Sequence, residues 1–397
     1  MKNKISDLVA NAKENIIKLT QELVRIHSET GQEESIIKRL EEIMKEYGFE
    51  DIVIDEMGNL IGRIGTGEKI LAIDGHVDTV GIGKRNTWEF DPLGGEISDK
   101  KIYGRGTCDQ KGGLASALYA CKLLKKNGIP KNLTIYLVAS VYEEIFEGLN
   151  WQHIIKEGKI KPDAVVLTEP SNLKIIIGHR GRMDLEIKVN GLSSHGADPD
   201  LGENAIYKMM PIVKEIEELH TKLPSDPIFG KDTIAITKIN SESVSTNAVA
   251  HGCTIHIDRR LGKNDTKESV LKELNDLPSV KESEAEVSIV TTETKSYKDF
   301  QFTIERYYPS WQMDKSHPVV RNAKEAYKKQ FGHESELGFW RFSTNGVATK
   351  GLFDIPTIGF GPGDERFAHT AEEHVPIEHL LKATEFYLAF MLEYGKK

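Results

Sequence analysis

A few residues of this sequence carry side chains that bind metal ions or move protons. They fall where the pattern of the chain changes. In LAIDGHVDTV, His76 and Asp78 stand two apart at the end of an apolar run, a spacing that sends two strand side chains to one face. Such a pair reads either as a buried histidine with its aspartate or as a metal-ligating imidazole steadied by a carboxylate. Asp109, in YGRGTCDQKGG, lies between a glycine-rich turn and a helix start, where a helix N-cap explains it equally well. Glu143 and Glu144 follow an apolar strand, and Glu169 closes another just before Pro170; unpaired carboxylates would be costly to bury there. His369 comes after the glycine-rich GFGPG. Each signal alone is weak. Together they place oxygen and imidazole donors at the carboxyl ends of successive strands, the edge where open α/β sheets put their sites, and they point to a metal centre.

The elements that must hold these residues are legible in the periodicity. Residues 5–26 and 33–47 show helical spacing of apolar positions, and short strands follow in DIVIDEM, NLIGRIG and KILAIDG. QKGGLASALYACKLLKKNG reads as a helix, NLTIYLVASVY as a buried strand, WQHIIKEGKI as a short helix and DAVVLTE as a further buried strand. Continuous apolar strands alternating with helices predict a sheet covered on both faces. After Gly178 the style changes. RMDLEIKVNG alternates, and a helix at 203–222, strands TIAITKIN and CTIHIDRRL, a helix at 266–277 and strand AEVSIVTT complete a βαββαβ order. HPVVRNAKEAYKKQFG and DIPTIGFGPG resume the first style. The fold class is therefore α/β, a catalytic domain in two segments (1–180 and 311–397) interrupted by an inserted α+β, ferredoxin-like domain (181–310).

With 397 residues the chain is too long for one ordinary domain. A net charge of −9 offers no basic surface, which excludes a nucleic-acid partner. Three unpaired cysteines imply a reducing compartment, no apolar run approaches the ~18 residues of a membrane span, and the amino-terminal residues lack a signal-peptide core. The expected location is the cytoplasm.

On GHVDTV, YGRGTCDQKGG, YEE, TEPSN, SSHGA and GPGDERFAHTAEE, the chain resembles the dinuclear zinc metallopeptidase family of aminoacylase, acetylornithine deacetylase, succinyl-diaminopimelate desuccinylase and carboxypeptidase G. The resemblance spans essentially the whole chain. GTCDQKGG, FSTNGVAT and GFGPG most resemble its selenium-metabolism-linked hydrolase branch. The resemblance implies two divalent ions, most often zinc, with cobalt or manganese as alternatives. His76 and Glu169 would bind one ion, Glu144 and His369 the other, and Asp109 both; Asp78 would orient His76. Glu143 would stay free as the general base toward a metal-bridging water of lowered pKa.

In the inserted domain, the resemblance implies that His195, in GLSSHGADP, reaches across a homodimer interface toward the oxyanion. It also assigns Asn247 and Arg260 to the carboxylate of a small-molecule substrate, an arginine being the natural carboxylate clamp. Asn345 stands where many relatives carry an Asp. The implied reaction is hydrolysis of the amide bond of an N-acyl amino acid or short peptide, with an N-carbamoyl or ureido bond as the alternative on the same site. A non-catalytic binding protein is disfavoured because all ligands and Glu143 are present. GRIGTGEK lacks the GK[ST] ending of a phosphate loop and is expected to form a hairpin turn. Cys108 reads as a small buried residue. His179, His251, His256 and His374 show no partner pattern, and no role is assigned to them.

Overall fold

The computed structural model describes residues 2–396. The helices Lys2–Arg25 and Glu34–Glu46 lead into a nine-stranded sheet. Its path runs Glu50–Ile54, Leu60–Gly65, Leu133–Ser140, Lys69–His76, Ala164–Leu167, Thr357–Gly359, Ile175–His179 and Trp311–Gln312, with Leu337–Trp340 also paired to Ile175–His179. The three central strands are parallel, with His76 opposite Ser140 and Asp74 opposite Leu167. The segments after these strands therefore leave the sheet at one edge. Buried on both faces, the strands need no alternation, which is why KILAIDG and DAVVLTE are continuously apolar.

GRIGTGEK does not form the expected hairpin. The strand Leu133–Ser140 enters between Leu60–Gly65 and Lys69–His76, and the Lys69 N–H donates to the Asn132 carbonyl at 3.1 Å. A Cβ on Gly67 would collide with the Asn132–Leu133 backbone, so the glycine permits this insertion. The apolar pattern of two strands cannot show that a third, distant in sequence, pairs between them.

The second sheet comprises Gly181–Asn190, Thr233–Glu242, Gly252–Leu261 and Glu286–Ile289, all antiparallel, in the order second, third, first, fourth, with Tyr307–Tyr308 added beside the first. The helix Ala205–Lys222 is capped by Asn204, and Lys267–Asn275 by a reciprocal Thr266–Ser269 box. Two apolar cores result. One joins both ends of the chain, including Leu23, Ile73, Leu137 and Phe386; the other is local to the second sheet, around Leu185, Ile212 and Ile255. AEVSIVTT, expected as one strand, divides. Glu286–Ile289 stays in the second sheet, whereas Thr291–Lys295 pairs with Gln301–Glu305, and Ile304 joins the first core.

Glu33 precedes the second helix and is buried. One carboxylate oxygen accepts from the Gly31 N–H at 2.9 Å, and the other has no partner. Burial, and secondarily the Asp78 carboxylate, raises its pKa from 4.5 to about 8. The folded chain then binds more protons than the unfolded one. Stability is fully present below 4.5 and is lost as pH rises toward 8. Glu33→Gln keeps the acceptor and removes the titration, so Tm at pH 8 should rise by a few degrees with little change near pH 4.5. Parallel Tm–pH curves for the two proteins would refute this.

Candidate metal centre

His76 is the last residue of its strand, Glu143 and Glu144 follow the strand that pairs with it, and Glu169 follows the next strand. Asp109 lies in an irregular turn before the helix Gly112–Asn127. Gly113 of that helix packs against the Thr168 carbonyl, where a Cβ would collide, which brings the Asp109 turn against the Glu169 strand. Tyr142 and His369 adopt positive φ values of 63° and 62°, uncommon for bulky residues. The strain lies where the chain must turn an acid or an imidazole into the site.

Asp109 stands between two imidazoles. Its Oδ1 is 2.9 Å from His76 Nε2 and its Oδ2 is 3.3 Å from His369 Nε2. Glu169 lies 3.7 Å from His76, and Glu144 lies 2.9 Å from His369. Donor atoms of His76, Glu143 and Glu169 fall within 4.8 Å of one another, as do those of His76, Asp109 and Glu144. Glu144 is anchored further by the Val80 N–H at 3.1 Å. Among the described residues the Glu143 carboxylate accepts no hydrogen bond; its Oε1 is buried and unpartnered, and His76 lies 3.8 Å away.

Burial holds the Glu143, Glu144 and Glu169 carboxyls above their usual range. For Asp109, hydrogen bonds from His369 and His76 overcome the opposing effect of burial and hold it low. Burial opposes charge on His76, yet Glu169, Glu143 and Asp109 raise its pKa. His369, bonded to Asp109 and Glu144, rises to about 10. Four carboxylates thus face two imidazoles, so protonating both rings leaves negative charge unbalanced among largely buried acids. Carboxylate and imidazole are the donors that divalent metal ions take, and the buried Glu169 Oε2 has no hydrogen-bond partner among the described residues, so it is free to meet a cation. The cluster can hold metal.

The model of peptidase family M20/M25/M40 matches residues 72–393. The chain belongs to this family. A relative in Escherichia coli, YgeY, described as uncharacterized, is 40% identical over 380 residues, covering 96% of this chain and 94% of its own. Succinyl-diaminopimelate desuccinylase of Ehrlichia canis is 27% identical over 398 residues, covering 95% and 98%. The solved Bacillus subtilis protein YXEP, described as a dinuclear metal-binding peptidase of the M20 family, shares the fold with TM-score 0.70, at 14% identity over 96% of this chain and 98% of its own. As an M20-family chain, the protein is a hydrolase of amide or peptide bonds.

Around the M20 cluster, Asp78, Asn345 and Asn247 sit differently from the reading of the sequence. Asp78 was expected to orient His76 with its carboxylate. The His76 Nδ1 contact is instead the Asp78 backbone carbonyl, at 2.9 Å, with the carboxylate at 3.6 Å. That carboxylate accepts from the N–H groups of Glu143 (3.1 Å) and Glu144 (3.0 Å) and from the Thr30 hydroxyl (2.8 Å), so it fixes the turn carrying both glutamates. Asn345 does not line the cavity. Its amide donates to Asp74 at 2.8 Å and Ser140 at 3.2 Å, and its oxygen accepts from the Gly148 N–H at 2.9 Å. An Asp there would set a second carboxylate against Asp74, whereas the Asn supplies donors. His195 and Asn247 are neighbours, with the Gly196 N–H donating to the Asn247 carbonyl at 2.7 Å, but both are exposed and outside the cavity.

Arg260 does line the cavity, about 290 Å³ in volume, together with Glu147, Arg182, Ser343 and Glu365, which the sequence reading had passed over. Glu373 was also missed. It accepts from the N–H groups of Cys108 and Asp109 and pairs with Arg105, bracing the Asp109 turn. The two adjacent glutamates in TAEEHV gave no basis for choosing it; pairing of His374–Pro376 with Lys101–Tyr103 decides which one faces the turn. Cys108 is buried, as expected.

The Asp78 geometry separates two defects. Asp78→Ala keeps the carbonyl that meets His76 but frees the Glu143–Glu144 turn. Metal titration should show one ion equivalent retained and the other weakened roughly 10–100-fold, with unfolding easier by about 2–3 kcal/mol. Equal weakening of both equivalents would contradict this division.

Proposed function

We propose that this M20-family chain is a dinuclear metal-dependent amidohydrolase that cleaves the C–N bond of an N-acyl amino acid or short peptide bearing a free carboxylate. His76, Glu169 and Asp109 hold one ion, and His369, Glu144 and Asp109 the other. Zinc fits this donor set best. When bound, the ion pair supplies Lewis acidity to the scissile carbonyl and lowers the pKa of the attacking water. One observation carries the assignment of roles. Glu144 is tied to His369 and Val80, whereas the buried Glu143 carboxylate beside it accepts no hydrogen bond among the described residues and meets His76 only at 3.8 Å. Glu143, its pKa raised by burial, takes the proton from the attacking water and returns it to the leaving nitrogen. Arg260, in the cavity wall, receives the substrate carboxylate.

The test is a panel of N-acyl, N-carbamoyl and dipeptide substrates, assayed with added zinc, manganese or cobalt. Glu143→Gln should keep two ion equivalents while kcat falls about 10²-fold or more. Glu144→Gln should lose one equivalent. The reverse pattern would exchange the two roles.

A homodimer through the inserted sheet completes the proposal. Thr233–Glu242 is an edge strand, and the inserted segment also leaves Leu201, Tyr207 and Val244 about three-quarters exposed (75%, 75% and 74%). No helix among the described residues is long and apolar enough to cross a membrane. His195 and Asn247, outside their own cavity, would serve the partner's oxyanion and substrate. Mixing His195→Ala with Glu143→Gln should restore activity once subunits exchange, because one site of the mixed dimer keeps both residues. Complete exchange without recovery would exclude the trans role.

A further inference from the structure

The strands Gly181–Asn190 and Gly252–Leu261 pair with Arg182 directly opposite Arg260. Residues so placed project to the same face with Cβ atoms about 4.5–5.5 Å apart, and like charges there destabilise a sheet. Both arginines nevertheless face the cavity that contains the metal-binding cluster. Each is held along one side. Arg260 Nε and Nη2 meet Asp258 at 2.8 and 3.0 Å. Arg182 Nη2 meets Glu147 at 3.3 Å, and its guanidinium carbon lies 4.7 Å from the centre of the Tyr308 ring. In both, Nη1 has no partner among the described residues. Two braced guanidinium groups thus stand side by side, each with an unused donor, in the wall of a cavity of about 290 Å³. A carboxylate has about four acceptor positions and can take donors from two guanidinium groups at once.

Resting on the hydrolase reading above, we propose that Arg182 is the second arm of a carboxylate clamp. Together with Arg260 it grips one substrate carboxylate and selects acids over their amides. Glu147 supports the arm and also competes for it, since it occupies part of the guanidinium that the substrate would use.

The test reads binding, so it does not depend on which bond the enzyme cleaves. The probes are a set of N-acetyl-L-amino acids and their carboxamides, titrated calorimetrically into zinc-loaded Glu143→Gln protein. Arg182→Met added to this background should weaken the acids about 10–100-fold and leave the carboxamides within about threefold, with zinc content unchanged. Arg182→Lys should recover part of the loss. Glu147→Gln should tighten the acids severalfold, an effect that a merely structural ion pair would not produce. Equal losses for acids and amides, no loss, or no acid bound by the Glu143→Gln parent would each overturn the proposal. If Arg182→Met does not fold, Arg182→Lys and Glu147→Gln decide by the same comparison. Turnover of the substrate panel by the unmutated enzyme is scored separately. Failure there rejects the hydrolase reading while the binding comparison still judges the clamp.

Discussion

Asp109 between His76 and His369 is the contact around which the rest of the centre is arranged. One carboxylate offers one oxygen to each ring, and Glu169 and Glu144 add a further acid beside each. Such a concentration of buried acid is unstable unless cations or imidazolium charges answer it. Much of the surrounding architecture keeps that arrangement in place. Glu373 braces the Asp109 turn, the Asp78 carboxylate fixes the backbone of Glu143 and Glu144, and Asn345 occupies the Asp74 carboxylate beneath them. None of these groups lines the cavity. They brace the Asp109 turn, the Glu143–Glu144 turn and the strand that ends in His76.

The cost of the arrangement is visible in the backbone. Tyr142 and His369 take a conformation that their side chains disfavour, each at the point where the chain turns toward the site. Gly113 and Gly361 let a helix and a loop approach the Thr168–Glu169 backbone closer than any side chain would allow. The inserted sheet shows a comparable cost, with Arg182 opposite Arg260 and Asp184 opposite Asp258. Those charges are balanced by the pairing of Arg260 with Asp258 and by partners such as Glu147 and Arg306. The insertion thus reaches into the cavity with its first and third strands, while its outer strand stays exposed.

How much of this was readable in advance depended on how local each cause was. Of the six residues gathered at the centre, His76, Glu143, Glu144 and Glu169 were found because strand-end acids and histidines contradict the apolar runs that precede them, and Asp109 and His369 because they follow glycine-rich turns. Arg182 and Glu147 left no such mark: an arginine early in an alternating strand and a third glutamate after YEE are ordinary surface residues in sequence. Asp78 was read correctly as a neighbour of His76, but periodicity gives the face of a side chain and not its hydrogen-bond partner. The GRIGTGEK hairpin failed for a similar reason, since the strand that separates its two arms lies some seventy residues away.

The sequence by itself determined the α/β architecture, the interruption by a βαββαβ unit and the set of donors, because hydrophobic periodicity and misplaced polar residues are properties of short stretches. Only the tertiary structure decided which glutamate is tied and which is free, which carboxylate braces which turn, and which arginines face the cavity. Those outcomes depend on contacts between segments far apart in the chain, whose register is set by packing both cores at once.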